Sequence, residues 1–377
     1  MKKSNYQDSD IEKILQQMPE VTDLRKSSQV LERAEMFSRK RKGFSWVIPA
    51  AASAAAILLF LLISTSFFQH ERKAGNAGVN QKVELAAKEA PDRDDAIAEK
   101  RFTVMPDQKF ITFSITGMDQ AGPIMPLNVP ISLIIDDNDS PAALYTKYIN
   151  KLENDKWGLA PLDFKNHATF TEASDSNGKK KLIVNMIENS SLSVSSAGTS
   201  FVDSLRESFR WHGFSQIEFL TAGSKGATLG NRKYTSIPLV AEGKKAYFQY
   251  MYDQDFQSFL VPSPKAYAHF PDALSAMESE SFNLQAPLHA PIPGGVDIKK
   301  ISTLDGQAEV TFSADSGLLD NENFVMMLDS ILLSAKEFGL TSVTFKGAEN
   351  AGITSIGTIK LGTPVKVPAA PNPIRLK

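Results

Sequence analysis

Two stretches of this sequence match each other without a gap. FVDSLRESFRWHGFSQIEF occupies residues 201–219, and MLDSILLSAKEFGLTSVTF occupies residues 327–345, an offset of 126 residues. At that offset Asp203 meets Asp329 and Gly213 meets Gly339. Self-similarity at a fixed spacing indicates repetition of a structural unit. The sequence therefore predicts two copies of one module.

The secondary structure of the module follows from the same stretches. In each copy an amphipathic helix ends near a glycine, Gly213 or Gly339, where a left-handed residue is expected, and a strand follows. Strand signals also lie at 111–115, 131–135 and 181–187. We expect an α+β fold in which each module has the order strand, strand, helix, strand pair, helix, strand, strand, with the helices on one face of a single sheet.

An apolar stretch precedes the modules. Residues from Val47 to Phe68 carry no charged side chain, and about 20 such residues span the hydrocarbon of a bilayer as a helix. Arg39, Lys40, Arg41 and Lys42 stand directly before it, and the positive-inside rule then places the N-terminus in the cytoplasm. We expect a cell-membrane protein with a single pass and an extracytoplasmic C-terminal region.

Two short amphipathic helices are predicted before this span. Isolated helices of that length are marginal in water, so their apolar stripes need cover. The sequence allows two interpretations. The apolar faces dock on a cytosolic partner, or they only pair with each other or lie on the bilayer surface. The first stripe consists of Ile11, Ile14, Leu15 and Met18, and the second of Val30, Leu31, Ala34 and Phe37.

The domain organisation predicted from these features has five parts. They are a short N-terminal helix pair at 1–43, one transmembrane helix at 44–68, an extracytoplasmic linker at 69–103, and two repeated extracytoplasmic α+β modules at 104–243 and 244–377, the second with a Pro-rich tail.

The sequence gives little support for a catalytic, metal or cofactor site. The chain has no cysteine, and its five histidines form no metal-binding pair at helical spacing. Asp203 and Asp329 recur in equivalent places, but first-turn acids favoured by the helix dipole explain them more simply than acid–base catalysis does. The aromatic side chains of the predicted strand Tyr247–Tyr252 are more simply explained by packing in the core than by stacking on a sugar. We expect a protein that is not an enzyme and has no cofactor.

Several stretches resemble the membrane-bound anti-sigma factors of the extracytoplasmic-function sigma factor sigma-X. They are IEKILQQMPEV at 11–21, FQSFLVPS at 256–263, ILLSAKEFGLTSVTF at 331–345 and VPAAPNPIRLK at 367–377. The repeated modules also look similar to the GerMN domains of sporulation and germination proteins.

This resemblance implies that the N-terminal helices sequester a sigma factor at the membrane and so negatively regulate transcription. The eight stripe residues are then the partner contacts. Direct nucleic-acid binding is not expected. Many anti-sigma factors carry a zinc motif of histidine and cysteines here, which this chain lacks. A membrane-anchored, cell-envelope-binding protein without a sigma partner, whose modules hold a cell-wall ligand, is the alternative.

Overall fold

The computed structural model describes part of the chain. The described residues are 101–117, 127–160, 166–253, 256–279, 288–347 and 352–376. All of them fall in one compact unit, Ala87–Lys377. The predicted linker, apart from its last three residues, lies outside them.

The first module has an order of helices and strands that recurs later in the chain. Its elements are β1 (Thr103–Val104), β2 (Phe110–Thr116), β3 (Asn128–Ile134), α1 (Pro141–Tyr148), β4 (Ala168–Ser174), β5 (Lys180–Met186), α2 (Ser196–Phe209), β6 (Gln216–Thr221), β7 (Ser224–Lys225), β8 (Ala227–Leu229), β9 (Arg232–Tyr234) and β10 (Ser236–Pro238). Three short 3-10 turns lie at Ile149–Lys151, Asn154–Trp157 and Ser191–Ser193.

The second module follows the same path. Its elements are β11 (Tyr247–Tyr250), β12 (Phe259–Pro262), α3 (Phe270–Ser279), β13 (Leu288–His289), β14 (Ile298–Leu304), β15 (Gln307–Phe312), α4 (Glu322–Glu337), β16 (Ser342–Lys346), β17 (Ser355–Ile356), β18 (Ile359–Lys360), β19 (Pro364–Lys366), β20 (Ala370–Pro371) and β21 (Pro373–Ile374). If the short strands β1, β7 to β9, β13, β17, β18, β20 and β21 are left out, both copies have the predicted order of strand, strand, helix, strand pair, helix, strand, strand.

The repeat extends to strand register. β5 and β6 run parallel with Leu182 opposite Ile217, and β15 and β16 run parallel with Ala308 opposite Val343. Both pairs are related by the predicted offset of 126 residues. The α+β repeat is therefore confirmed at the level of individual strand partners.

Local sequence explains how the two long helices begin and end. The Asn321 side chain caps α4 by accepting a hydrogen bond from the Phe324 N–H at 3.1 Å. Beyond the other end of each helix, Gly213 and Gly339 have φ angles of 76° and 73°. That left-handed conformation costs little for glycine, which confirms the predicted helix stops.

The expectation of one sheet per module is wrong. In the first module β2 and β3 pair in one sheet, while β10, β6, β5 and β4 form another. The second module likewise separates β12, β11 and β13 from β14, β15, β16 and β19. Helix α2 packs against β2 and β3, and α4 packs against β11 and β16. A sequence pattern records which face of a strand is buried but not which strand lies beside it.

The C-terminal tail reaches back to the first module. β21 runs parallel to β3, and β20 pairs with β1. Between them Asn372 is buried, with a φ of 55°, and its Nδ2 donates to the carbonyls of Pro130 at 2.6 Å and Leu260 at 2.7 Å. Its Oδ1 accepts from the Leu260 N–H at 2.7 Å. One side chain thus joins β3 of the first module to β12 of the second.

The core contains the aromatic strand. Tyr247, Phe248 and Tyr250 are at most 1% exposed, so the core-packing prediction is confirmed and the sugar-stacking alternative is wrong for these three. In the first module Tyr145 stacks on Phe113 with ring centroids 4.9 Å apart.

Candidate functional site

The eight predicted partner contacts, Ile11 to Phe37, lie outside the described residues, as does the apolar span Val47–Phe68. Among the helices of the described part, none is long and apolar enough to cross a bilayer. The assignment of these residues therefore stays a prediction. The described region offers a different candidate: charged side chains buried where the two modules meet.

The repeated aspartates have different environments. Each is the eighth residue of its helix, so the interpretation as first-turn acids is wrong. Asp203 is 44% exposed and pairs with Arg206 at 2.6 Å. Asp329 is fully buried and accepts hydrogen bonds from Arg101 Nε at 2.9 Å, from the Phe102 N–H at 2.8 Å and from Thr103 Oγ1 at 3.0 Å. The two carboxylates do not face each other across a site, so they do not form a catalytic pair.

A buried ion cluster spans the boundary between the modules. Arg210, just after α2, donates through Nη1 to Glu337 of α4 at 2.9 Å and through Nε to Glu207 at 2.9 Å. The Glu337 carboxylate also accepts from Tyr247 Oη at 3.2 Å and from the Gly243 N–H at 2.7 Å. The side chains of Arg210 and Glu337 are 4% and 0% exposed. Every charge in the cluster is thus hydrogen-bonded, as burial demands.

The cluster changes the acidity of its members. Burial raises the pKa of Glu207 above its ordinary value, against the attraction of Arg210. Burial alone would lower the pKa of Arg210, but Glu207 and Glu337 outweigh it and raise that pKa well above its ordinary range. Burial also raises the pKa of Tyr247, and Glu337 adds to this. The arginine therefore stays charged at neutral pH.

Trp211 extends the cluster towards the tail. The Arg210 guanidinium lies 4.4 Å from its ring centroid, and Lys336 Nζ lies 4.0 Å from it. Burial, with the positive charge of Arg210, lowers the pKa of Lys336 to about 8. The same ammonium donates to the carbonyl of Ala369, directly before β20. Cation–π contacts and a tail hydrogen bond thus meet at one lysine.

A cleft of about 560 Å³ lies beside the cluster. Asp203 and Arg206 at its wall are paired with each other, and Lys245 Nζ donates to the carbonyls of Ser263 at 2.8 Å and Pro264 at 3.1 Å. Each of these charged side chains is thus already bonded to another group of the protein. The ion cluster beside the cleft, through Arg210 and Glu337, connects the two modules.

One histidine and serine pair resembles a nucleophile with its base. His167 Nδ1 lies 2.9 Å from Ser190 Oγ. Ser190 is only 5% exposed, and its hydroxyl accepts from the Leu192 N–H as the cap of a 3-10 turn. The pair is structural. Over the described ranges no group of three or more histidines, aspartates or glutamates could hold a metal ion.

The ion cluster and Asn372 were not predicted from the sequence. The sequence did contain a pattern that could have pointed to the cluster, because Arg210 and Glu337 are charged residues next to otherwise apolar helix faces. At the repeat offset Arg210 corresponds to Lys336, while Glu337 corresponds to Trp211. Only the packing of the two copies shows that Arg210 of one copy reaches Glu337 of the other.

Comparisons with known proteins agree with the resemblance and the fold. Residues 105–236 match the family model described as the anti-sigma-X factor RsiX central domain. Anti-sigma-X factor RsiX of Bacillus subtilis (strain 168) is 27% identical over 395 aligned positions that cover all of both chains. The tandem GerMN domains of the sporulation protein GerM from Bacillus subtilis superpose with a TM-score of 0.50 at 14% identity, covering 70% of this chain and 99% of that one.

The GerM likeness concerns the fold alone, and it shows a tandem of GerMN-like modules. The other two comparisons carry the resemblance to the anti-sigma-X factors. The expected resemblance to the anti-sigma-X factors is confirmed, over residues 105–236 by the family model and over the full length by the curated relative.

Proposed function

We propose that this chain is a regulatory protein that sequesters an extracytoplasmic-function sigma factor of the sigma-X type at the membrane and thereby represses transcription. The observation that carries the proposal is the full-length similarity to an anti-sigma-X factor, which includes residues 1–100 as well as the outer modules. A similarity limited to the outer modules would leave the N-terminal segment without an interpretation.

The proposed contacts are the two apolar stripes before the span. Ile11, Ile14, Leu15 and Met18 recur at the spacing of one helix face, and so do Val30, Leu31, Ala34 and Phe37. An amphipathic helix that lays such a face into a groove is a common mode of protein recognition. Binding in this mode needs no catalytic step, so the protein acts as a stoichiometric inhibitor.

The contact assignment is tested by placing a charge on the stripe. Residues 1–43 should retain a purified sigma-X-type factor on a column, and Leu15→Asp or Leu31→Asp should weaken retention at least tenfold, because an unpaired carboxylate would be buried. Gln16→Asp and Gln29→Asp add the same charge away from the stripes and should retain the sigma factor. Equal retention by all four variants would refute the assignment.

Membrane topology is proposed from the span and its flanking charges. The chain contains no cysteine, so single cysteines report their side of the membrane without background. Ser176 lies in an exposed turn before β5, and Ser28 lies before the span. In intact cells a membrane-impermeant maleimide should label Ser176→Cys at once and label Ser28→Cys only after permeabilisation. The reverse order would overturn the proposed orientation.

The described part supports a role for the outer modules as one unit. The ion cluster, Asn372 and the pairing of β20 with β1 connect elements far apart in sequence. A ligand that altered their packing would therefore act on both modules together. The signal is proposed to pass from this unit through the linker to the inhibitory helices.

A further inference from the structure

The point where the linker joins the modules is held by the second module. Arg101, the first described residue, has a side chain that is 11% exposed and bound to the fully buried Asp329 of α4. The same carboxylate accepts from the Phe102 N–H and from Thr103 Oγ1. Three consecutive residues are therefore attached to a single carboxylate, more than 220 residues away in the chain.

The attachment continues along the tail. Thr103 and Val104 form β1, which pairs with Ala370 and Pro371 of β20. The Ala369 N–H donates to the Val104 carbonyl at 2.8 Å, and the Asn372 N–H donates to the Phe102 carbonyl at 2.8 Å. The four residues of the two strands, Thr103, Val104, Ala370 and Pro371, are buried. A two-residue pairing is weak alone and depends on such surroundings.

The tail in turn depends on the contact between modules. The side chain of Asn372 bonds both the N–H and the carbonyl of Leu260 in β12, and its Nδ2 also bonds the Pro130 carbonyl in β3. Its own carbonyl accepts from the Ser132 N–H at 3.0 Å. If β3 and β12 move apart, Asn372 loses partners on one side, and β20 loses its support.

We propose that residues 101–104 and 369–374 form a strap that couples the packing of the two modules to the outer end of the linker. While β3 and β12 stay together, Asn372 holds β20, and β20 with Asp329 holds residues 101–104. Separation of the modules releases the strap and frees the linker. The role of this release in signalling rests on the proposed function, whereas the coupling itself does not.

The repeat supplies evidence that the strap is specialised. The counterpart of Asp329 in the first module is Asp203, which is half-exposed and bonds only its own helix neighbour Arg206 among the contacts described for it. Elements that merely keep the fold, such as the glycines after α2 and α4, are the same in both copies. The buried acid that holds the linker is present in one copy alone.

Limited proteolysis of the full chain in detergent micelles tests the coupling. Trypsin cleavage after Arg101 needs the strap to open, whereas Lys179 lies in an exposed turn and reports general accessibility. We measure the ratio of the two cleavage rates by mass spectrometry of the new N-termini. Asp329→Asn should raise this ratio at least tenfold, and the matched variant Asp203→Asn should change it less than twofold.

The distant end of the strap gives the sharper test. Asn372→Gly retains the left-handed backbone, because glycine accepts a φ of 55°, but removes all three side-chain hydrogen bonds to β3 and β12. It should also raise the ratio, by about three- to tenfold, although none of the three lost hydrogen bonds involves Arg101. An unchanged ratio in Asn372→Gly, or a parallel rise at Lys179, would overturn the coupling, and this variant stays informative if Asp329→Asn fails to fold.

A transcription reporter driven by the sigma factor separates the strap from the proposed function. If release of the strap takes part in signalling, Asn372→Gly should raise reporter activity in unstressed cells several-fold, while residues 1–43 still retain the sigma factor. A raised cleavage ratio with an unchanged reporter would refute a signalling role for the strap. Failure of residues 1–43 to retain the sigma factor would refute the proposed function and leave the proteolysis result standing.

Discussion

Helices α2 and α4 occupy equivalent places in the two modules but have different surroundings. The hydroxyls of Ser208 and Ser334 each accept a hydrogen bond from a backbone N–H, of Ser114 in β2 and of Tyr247 in β11. Thirteen of the sixteen residues of α4 are buried, against seven of fourteen in α2. The strap is bonded to Asp329 of α4, and Lys336 of α4 donates to the Ala369 carbonyl.

The comparison shows how a duplicated unit acquires an asymmetric role. Positions that form the module, such as the helix stops and the serine contacts, retain their environment in both copies. Other positions diverge: residues 101–103 cover Asp329 of α4, whereas its counterpart Asp203 of α2 is 44% exposed. The following predictions test this distinction with pairs of equivalent or neighbouring residues.

The largest effect is expected at the ion cluster. Arg210→Met should lower the free energy of unfolding by about 3–5 kcal/mol, because it removes the guanidinium that is hydrogen-bonded to the buried Glu337. Arg206→Met, four residues earlier in the last turn of α2 and 44% exposed, should cost less than about 1 kcal/mol. Denaturant unfolding of the Ala87–Lys377 unit measures both. Equal losses would show that burial does not distinguish the two arginines.

A smaller effect is expected at the repeated aspartates. Asp329→Asn should lower the free energy of unfolding by about 2–3 kcal/mol, because hydrogen bonds from a charged partner and a buried N–H are weakened. Asp203→Asn should change it by less than about 0.5 kcal/mol, as expected for a surface pair. The same denaturant titration applies. A loss at Asp203 as large as at Asp329 would contradict the asymmetry described above.

Folding stability should depend on pH through His212, whose counterpart in the second module, Phe338, does not titrate. Burial, with the nearby charge of Lys336, lowers the pKa of His212 to about 4. The unfolded chain then takes up a proton at higher pH than the folded one, so stability falls as pH drops from about 6.5 to about 4 and is unaffected above that window. The side chain is partly exposed, so we expect a loss of about 1–2 kcal/mol.

His212→Phe gives the first module the residue of the second and should flatten this pH dependence. Thermal unfolding between pH 4 and pH 7.5 compares the two proteins, with the difference in midpoint at pH 7.5 as the baseline. A difference that stays constant across the whole range would exclude His212 as a source of acid sensitivity.

The smallest effect should be the same in both modules. Gly213→Ala and Gly339→Ala each place a Cβ on a left-handed residue and should cost about 1 kcal/mol. Nothing lies within 4 Å of the new methyl at Gly213, and only the flexible Glu242 carboxylate lies near it at Gly339. Thermal unfolding checks both. A clearly larger loss at Gly339 would show that Glu242 cannot move aside.

Much of the fold was predictable, because it depends on local periodicity and on the repeat. The strand predicted at 111–115 lies within the observed β2, the one predicted at 181–187 overlaps β5 except for its last residue, and both helix stops were located at Gly213 and Gly339. The candidate site at the module contact was not predictable, since Arg210 and Glu337 lie 127 residues apart.

The sequence by itself determined the duplication, the α+β composition, the helix boundaries and the apolar stripes, because each of these is written in the spacing of side chains along the chain. Tertiary structure alone decided the separation of each module into two sheets, the return of the tail to β3 and the pairing of Arg101 with Asp329. Those contacts join distant residues through burial, hydrogen-bond satisfaction and charge compensation, and no local pattern specifies which partner a buried donor or charge will find.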